Sequence, residues 1–152
     1  MYNKIRVSLI LLILMTACVA VPATAEVNVT FYGKAWHPTL SDLNENNDLI
    51  AIEYIDTTDS KVGYALASYT NSYNQQAFMY TQSLYIPHHE HWETILSAGA
   101  TTGYQDTGAV CIIELGDLCS VVSIGIQYSK YKFKPRVTIF GPALVFSLSY
   151  TF

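Results

Sequence analysis

The chain has 152 residues, of which 51% are hydrophobic and only 13% charged, with twelve acidic residues against eight basic ones and a formal charge of −4. That length suits one domain rather than two, and the acidic balance excludes nucleic acid as a natural partner. Three cysteines are too few for a disulfide-dense scaffold.

Lys4 and Arg6 precede an apolar run from Val7 to Val21, followed by Ala23-Thr24-Ala25. This reads as a secretory signal, with a basic n-region, a short apolar core and an A-x-A cleavage site. The expected organisation is a signal peptide over residues 1–25 and one exported domain over residues 26–152. The run is shorter than the roughly 20 residues a spanning helix needs, so a retained membrane helix is the lesser alternative. Met15-Thr16-Ala17-Cys18 is a second one, a lipoprotein-like box with Met where Leu is usual. Cleavage after Ala25 removes Lys4, Arg6 and Cys18 and takes the formal charge from −4 to −6.

Beyond Ala25 no apolar stretch is long enough to cross a membrane as a helix. Eight β-type runs follow instead, separated by polar turns. They are Val27 to Trp36, Leu49 to Ile55, Val62 to Thr70, Ala77 to Ile86, Trp92 to Tyr104, Cys119 to Ser129, Pro135 to Phe140 and Ala143 to Phe152. In the first, Val27, Val29 and Phe31 oppose Asn28, Thr30 and Tyr32. In the sixth, Val122, Ile124, Ile126 and Tyr128 oppose Ser123, Gly125, Gln127 and Ser129. The fourth has apolar or aromatic residues on both faces. In the last, Leu144, Phe146, Leu148, Tyr150 and Phe152 alternate with Val145, Ser147, Ser149 and Thr151. A period of two marks a strand with one apolar face.

Eight antiparallel strands of this length predict an all-β fold, an eight-stranded antiparallel transmembrane β-barrel, in which no strand edge is left unpaired. Tyrosines near many strand ends fit interfacial girdles. A lipocalin-like barrel or β-sandwich is the soluble alternative, with the apolar faces turned inward. The aromatic-terminated last strand resembles the signal read by the barrel assembly machinery, and the expected location is the cell outer membrane, as a monomer among phospholipid and lipopolysaccharide. An even strand count puts both ends in the periplasm. His37 to Asp48, Asn71 to Gln76, Gln105 to Leu118 and the Gly141-Pro142 turn are then outer; Asp56 to Lys61, Pro87 to His91 and Lys130 to Lys134 are inner. Cys111 and Cys119, paired in an oxidising compartment, would staple the third outer loop.

Trp36-His37 and Asn71-Ser72 emerge at the same rim. A serine hydroxyl gains reactivity only with a base within hydrogen-bond reach. Spacing alone leaves the ordinary alternative open, a strand cap and a polar turn. Pro87-His88-His89-Glu90-His91 could offer zinc or copper ligands, but successive turn residues diverge, and no metal is expected. Lys130, Lys132, Lys134 and Arg136, interleaved with Tyr131 and Phe133, are expected at the inner interface, against lipid headgroups.

From Phe31 to about Asp106 the chain resembles the lipid A palmitoyltransferases, eight-stranded outer-membrane enzymes that move an acyl chain from a phospholipid to lipid A. Trp36-His37, Asn44-Glu45 before the run from Asp48 to Glu53, and Asn71-Ser72-Tyr73-Asn74 follow that family's order. So do the aromatic strand from Tyr80 to Pro87 and the strand from Ala98 to Tyr104. The resemblance implies His37 as general base, Ser72 as its hydroxyl partner and Asn71 as an orienting group, with no cofactor. It also implies an acyl chain in the upper barrel, where Ser97, Gly99, Ser123 and Gly125 offer small side chains. Two departures stand out. Asn71 occupies the family's carboxylate position, with Asp42, Glu45 or Asp48 as replacements from the first loop. The chain also enters its first strand directly after Glu26, where the family has an amphipathic helix. Fold carries over such changes more readily than activity. The alternative is a non-catalytic barrel whose surface loops serve adhesion, receptor masking or envelope modification.

Overall fold

The computed structural model describes residues 24–38, 42–104 and 111–152, so residues 1–23 of the expected signal peptide, Cys18 among them, lie outside the described residues, whereas Ala25, its expected last residue, opens the first strand. Among the described residues nine strands follow in chain order: β1 (Ala25–Trp36), β2 (Ile50–Asp56), β3 (Val62–Thr70), β4 (Gln76–His89), β5 (Trp92–Thr101), β6 (Glu114–Leu115), β7 (Leu118–Tyr128), β8 (Phe133–Phe140) and β9 (Ala143–Thr151). All pairings are antiparallel, and β5 pairs with β7 while β1 pairs with β9, so eight strands close into a barrel. The two-residue β6 is an appendage on β7.

The register shows the stagger of closure. One circuit along the pairing ladder runs Ala25, Asp56, Val62, Leu84, Leu96, Ile124, Ile139, Leu144 and back to β1 at Trp36. It starts at the inner end of β1 and returns at the outer end, which requires the strands to tilt by roughly 35–45°. Gly99 allows one of the close approaches on the way, because a Cβ there would lie 1.9 Å from the Tyr80 carbonyl oxygen.

The two faces divide as a bilayer demands. Tyr54, Tyr64, Leu66, Phe78, Tyr80, Leu84, Leu96, Val122, Ile124, Ile126, Ile139 and Phe146 are exposed on the outer wall. Inside are Asn28, Thr30, Glu53, Ser83, Glu93, Thr101, Gln127, Lys134 and Ser149, all buried. A soluble barrel would have these faces exchanged. An apolar outside around a polar inside is the pattern of a membrane-crossing barrel.

Several details differ from expectation, among them β5, which ends at Thr101 rather than Tyr104, and β8, which begins at Phe133 rather than Pro135. A bulge between Thr30 and Tyr32 turns both Phe31 and Tyr32 outward and puts Gly33 and Ala35 inside, so Tyr32 does not share a face with Asn28 and Thr30. Strand β4 continues through Pro87 to His89, with a register shift just after Pro87, between it and His89. The third outer loop contains a short strand, β6, where irregular chain is expected.

Lys134 and Arg136 also correct the sequence reading. They alternate with Phe133, Pro135 and Val137, so they point into the barrel rather than towards headgroups. Lys134 bonds Glu26 at 2.8 Å, Glu26 reaches Lys61 at 3.5 Å, and Lys61 holds Glu93 at 2.8 Å. Gln127 donates to Glu93 at 3.1 Å and accepts from Arg136 Nε at 3.0 Å. Arg136 Nη2 in turn meets Glu53 at 3.1 Å and the Tyr85 hydroxyl at 2.9 Å, and Tyr85 donates to Glu53. Three cations and three carboxylates thus form a continuous layer across the inner half of the lumen. Only Lys130 and Lys132 stay outside, their ammonium groups over the rings of Tyr131 and Tyr150 at 5.5 and 5.8 Å.

Candidate functional site at the outer rim

Strand β1 delivers Trp36 outward and His37 to the rim, while β3 ends at Thr70 and leads into Asn71 and Ser72. Between them β2 begins only at Ile50, and the segment 44–47 fills the gap. Ala35 N–H donates to the Glu45 carbonyl at 2.8 Å and Asn47 N–H to Gly33 at 3.2 Å. On the other side, Asn44 N–H donates to Ser72 at 2.9 Å and Thr70 N–H to Asn47 at 2.6 Å. The Asn44 side chain adds a bond to the Asn71 carbonyl at 3.1 Å, and that of Asn47 one to Thr70 at 3.2 Å. Gly33 leaves room for this lacing, since a Cβ there would sit 2.7 Å from Leu49 Cβ.

The lacing brings His37 and Ser72 together across 35 residues of sequence: His37 Nε2 lies 3.1 Å from Ser72 Oγ. If Nε2 accepts the serine proton, Nδ1 carries the ring proton. His37 Nδ1 is buried and has no hydrogen-bond partner among the described residues. The loop-1 carboxylates do not supply one there. Glu45 faces solvent near Lys34 at 3.8 Å, and Asp42 and Asp48 shape the loop with positive φ angles of 72° and 43°.

Asn71 is fully buried but turned away from His37. Its Oδ1 accepts from the N–H groups of Tyr73 and Gln75, both at 2.9 Å, and its Nδ2 donates to the Gly103 carbonyl. It holds the turn that carries Ser72 and ties that turn to the end of β5. This arrangement makes a sharp prediction for Asn71→Asp, the change towards the family's carboxylate. An aspartate keeps both acceptor bonds but faces the Gly103 carbonyl with no donor, a loss of about 1–3 kcal/mol for a buried group. The variant is expected to unfold at lower denaturant concentration, and a gain in stability would contradict this placement of Asn71.

Beneath the pair lies a cavity of about 150 Å³. His37, Ser72, Tyr73 and Tyr104 line its mouth, Ala67, Met79 and Val145 its apolar upper wall, and Glu53 and Arg136 its floor. Ser97, Ser123 and Gly125 line it as expected, whereas Gly99 lies outside the lining at the β4–β5 approach. Tyr69, whose hydroxyl lies 2.8 Å from Thr101 Oγ1, packs with Tyr104 and Cys119 under the rim. Sequence reading marked neither Tyr69 nor Asn47, because inward tyrosines look like girdle residues and a loop asparagine carries no periodic signal.

The Cys111–Cys119 disulfide is formed, and it staples the outer loop next to this rim. The histidine cluster lies at the opposite end of the barrel. His88 Nε2 is 2.6 Å from Thr94 Oγ1 and the His91 ring packs edge-on against Tyr128. No group of three or more potential ligands converges among the described residues.

No protein-family model matches this chain. No curated protein matches it either. Among solved structures, the chain is similar to the Yersinia pestis outer membrane protein Ail in a phospholipid bilayer nanodisc, at 12% identity over 84% of this chain and 98% of that one, with a TM-score of 0.49.

Proposed function

We propose that this chain is a monomeric barrel of the outer membrane that transfers an acyl chain from a phospholipid to lipid A. The observation that carries the reading is the His37–Ser72 hydrogen bond at the mouth of a cavity with an apolar upper wall. A lipid A hydroxyl attacks the phospholipid ester carbonyl, its new C–O bond replacing the one to the lysophospholipid oxygen. Ser72 Oγ positions that hydroxyl, and His37 acts as general base, accepting its proton at Nε2. It returns that proton to the departing lysophospholipid oxygen, so the ester is exchanged without net proton change. The acyl chain lies against the apolar upper wall, and Asn71 and Asn44 position the Ser72 turn. The chemistry asks for no cofactor. The test is the lipid A mass profile of cells with and without the gene, in a strain whose lipid A can take a further acyl group. Absence of an added acyl group would remove this reading.

The second reading is a non-catalytic barrel whose surface loops serve adhesion, receptor masking or envelope modification. It draws support from His37 Nδ1, for which no acceptor lies among the described residues, and from Asn71, whose bonds go elsewhere. Under it, His37→Ala and Ser72→Ala leave the phenotype intact, whereas changes in the third outer loop abolish it.

Insertion by the barrel assembly machinery is part of the same proposal. The exposed Phe152 ring stacks edge-on against Tyr150 at 5.1 Å on the outward face. One phenylalanine is worth only about 1.5–3 kcal/mol of burial, which a closed barrel tolerates. Phe152→Ala is therefore expected to lower the amount of barrel in the outer-membrane fraction several-fold, while the inserted molecules keep their heat resistance. Equal amounts of variant and wild type would show that Phe152 plays no part in assembly.

A further inference from the structure

Above the end of β8 the barrel wall continues as a hairpin made by β6 and the start of β7. Glu114 pairs with Cys119 and Leu115 with Leu118. Gly116, with φ of 59°, opens the two-residue turn as the first residue of a type II′ hairpin requires. The disulfide ties the base of the hairpin to β7.

Directly opposed residues in a β-pair share a face. Cys119 points into the barrel, where it packs with Tyr69 and Tyr104. Glu114 therefore faces inward, and Leu115 and Leu118 face out. Ile113 exchanges hydrogen bonds with Ser120, which is in outward phase with Leu118 and Val122. The aliphatic residues here are unusually bare for a surface loop: Leu115 is 73% exposed, Ile112 61%, Ile113 59% and Leu118 50%. They are not isolated. Ile112 lines a groove on the outer wall together with Val122, Ile124, Leu96 and Ile139 of the lipid-facing belt. The apolar outer surface thus reaches from the barrel belt up to Ile112 at the base of the hairpin, with Ser120 the one polar residue between Leu118 and Val122 on that face of β7.

We propose that the stapled hairpin is a lipid-contacting extension of the barrel wall, its Ile113, Leu115 and Leu118 face covered by acyl chains of the outer leaflet. Continuity with the belt selects lipid over a protein partner, because the same apolar surface already meets acyl chains below. The disulfide holds the two arms in register so that this face stays turned outward. The proposal stands apart from the acyl-transfer reading, since none of these residues touches His37 or Ser72.

The test uses the full chain with Trp36→Phe and Trp92→Phe, carrying Leu115→Trp as the sole indole, in phosphatidylcholine vesicles with part of the lipid brominated on its acyl chains. Val122→Trp on the belt and Glu114→Trp on the opposite face serve as references. Leu115→Trp is expected to emit at shorter wavelength than Glu114→Trp and to be quenched by brominated lipid to within about twofold of Val122→Trp. Leu118→Trp reads the same face should Leu115→Trp not fold. An indole at either position that responds to aqueous acrylamide and ignores brominated lipid overturns the proposal, and points to a soluble or protein partner instead.

Discussion

Under the acyl-transfer proposal, His37→Ala and Ser72→Ala are each expected to cut acyl transfer by about 10²–10⁴-fold, the range for a positioned proton-transfer group. In the lipid A mass profile the added acyl group should disappear, while the barrel keeps its heat-modifiable gel migration. Migration is expected to survive because both residues sit at the rim, outside the ladder pairs that close the barrel and outside its inner ionic layer. Residues that act as a unit are grossly non-additive, so the double variant should be no slower than either single one. A multiplicative loss would mean that the two act separately and that their 3.1 Å contact is incidental. Undiminished transfer by both variants would remove the pair from the mechanism altogether.

Most of the barrel was legible because a bilayer imposes one rule on every strand, a large apolar side chain outward at every second position. In β9 that rule is unbroken and in β7 it fails only at Ser120, and the expected spans agree with the structure to about one residue. It failed where one strand shifts phase. The bulge at Phe31 moves Gly33 and Ala35 inside, and a single glycine next to it, Gly33, is too weak a signal to place it from sequence. At Lys134 and Arg136 the sequence shows a basic cluster, whose charge argues for headgroups. The alternation with Phe133, Pro135 and Val137 is the better guide, and most of the partners that make such burial tolerable lie far off in sequence, on β1, β2 and β4, with Gln127 of the adjacent β7 the exception.

The candidate site was legible in part for the opposite reason. Topology alone places two outer strand ends on one rim, so His37 and Ser72 could be brought together on paper. What makes them touch is the lacing by residues 44–47, which is irregular backbone with no periodic signature. For the same reason the role of Asn71 was out of reach. Its residue type suggests an orienting partner for histidine, but the direction of a turn side chain is set by the backbone groups around it, here those of Tyr73, Gln75 and Gly103.

The largest expected effect on stability belongs to Arg136. Its guanidinium is nearly enclosed, bonding Glu53, Tyr85 and Gln127 at the floor of the cavity. Arg136→Met removes the cation and leaves the Glu53 carboxylate buried with Tyr85 as its remaining bond. An uncompensated buried charge costs about 3–5 kcal/mol, and the variant should lose that much in urea unfolding from vesicles. Glu53→Gln added to Arg136→Met removes the stranded charge and keeps an acceptor for the Tyr85 hydroxyl. The double variant is therefore expected to recover most of the loss, in line with neutral replacements of buried ion pairs elsewhere. Lys134→Met provides the contrast. It deprives Glu26 of one partner, but Lys61 stays within 3.5 Å and Glu26 is itself partly exposed, so the cost should be clearly smaller. If Arg136→Met and Lys134→Met fall equally, the charges act as one delocalised layer. If the double variant is no better than Arg136→Met alone, packing rather than charge is what Arg136 supplies.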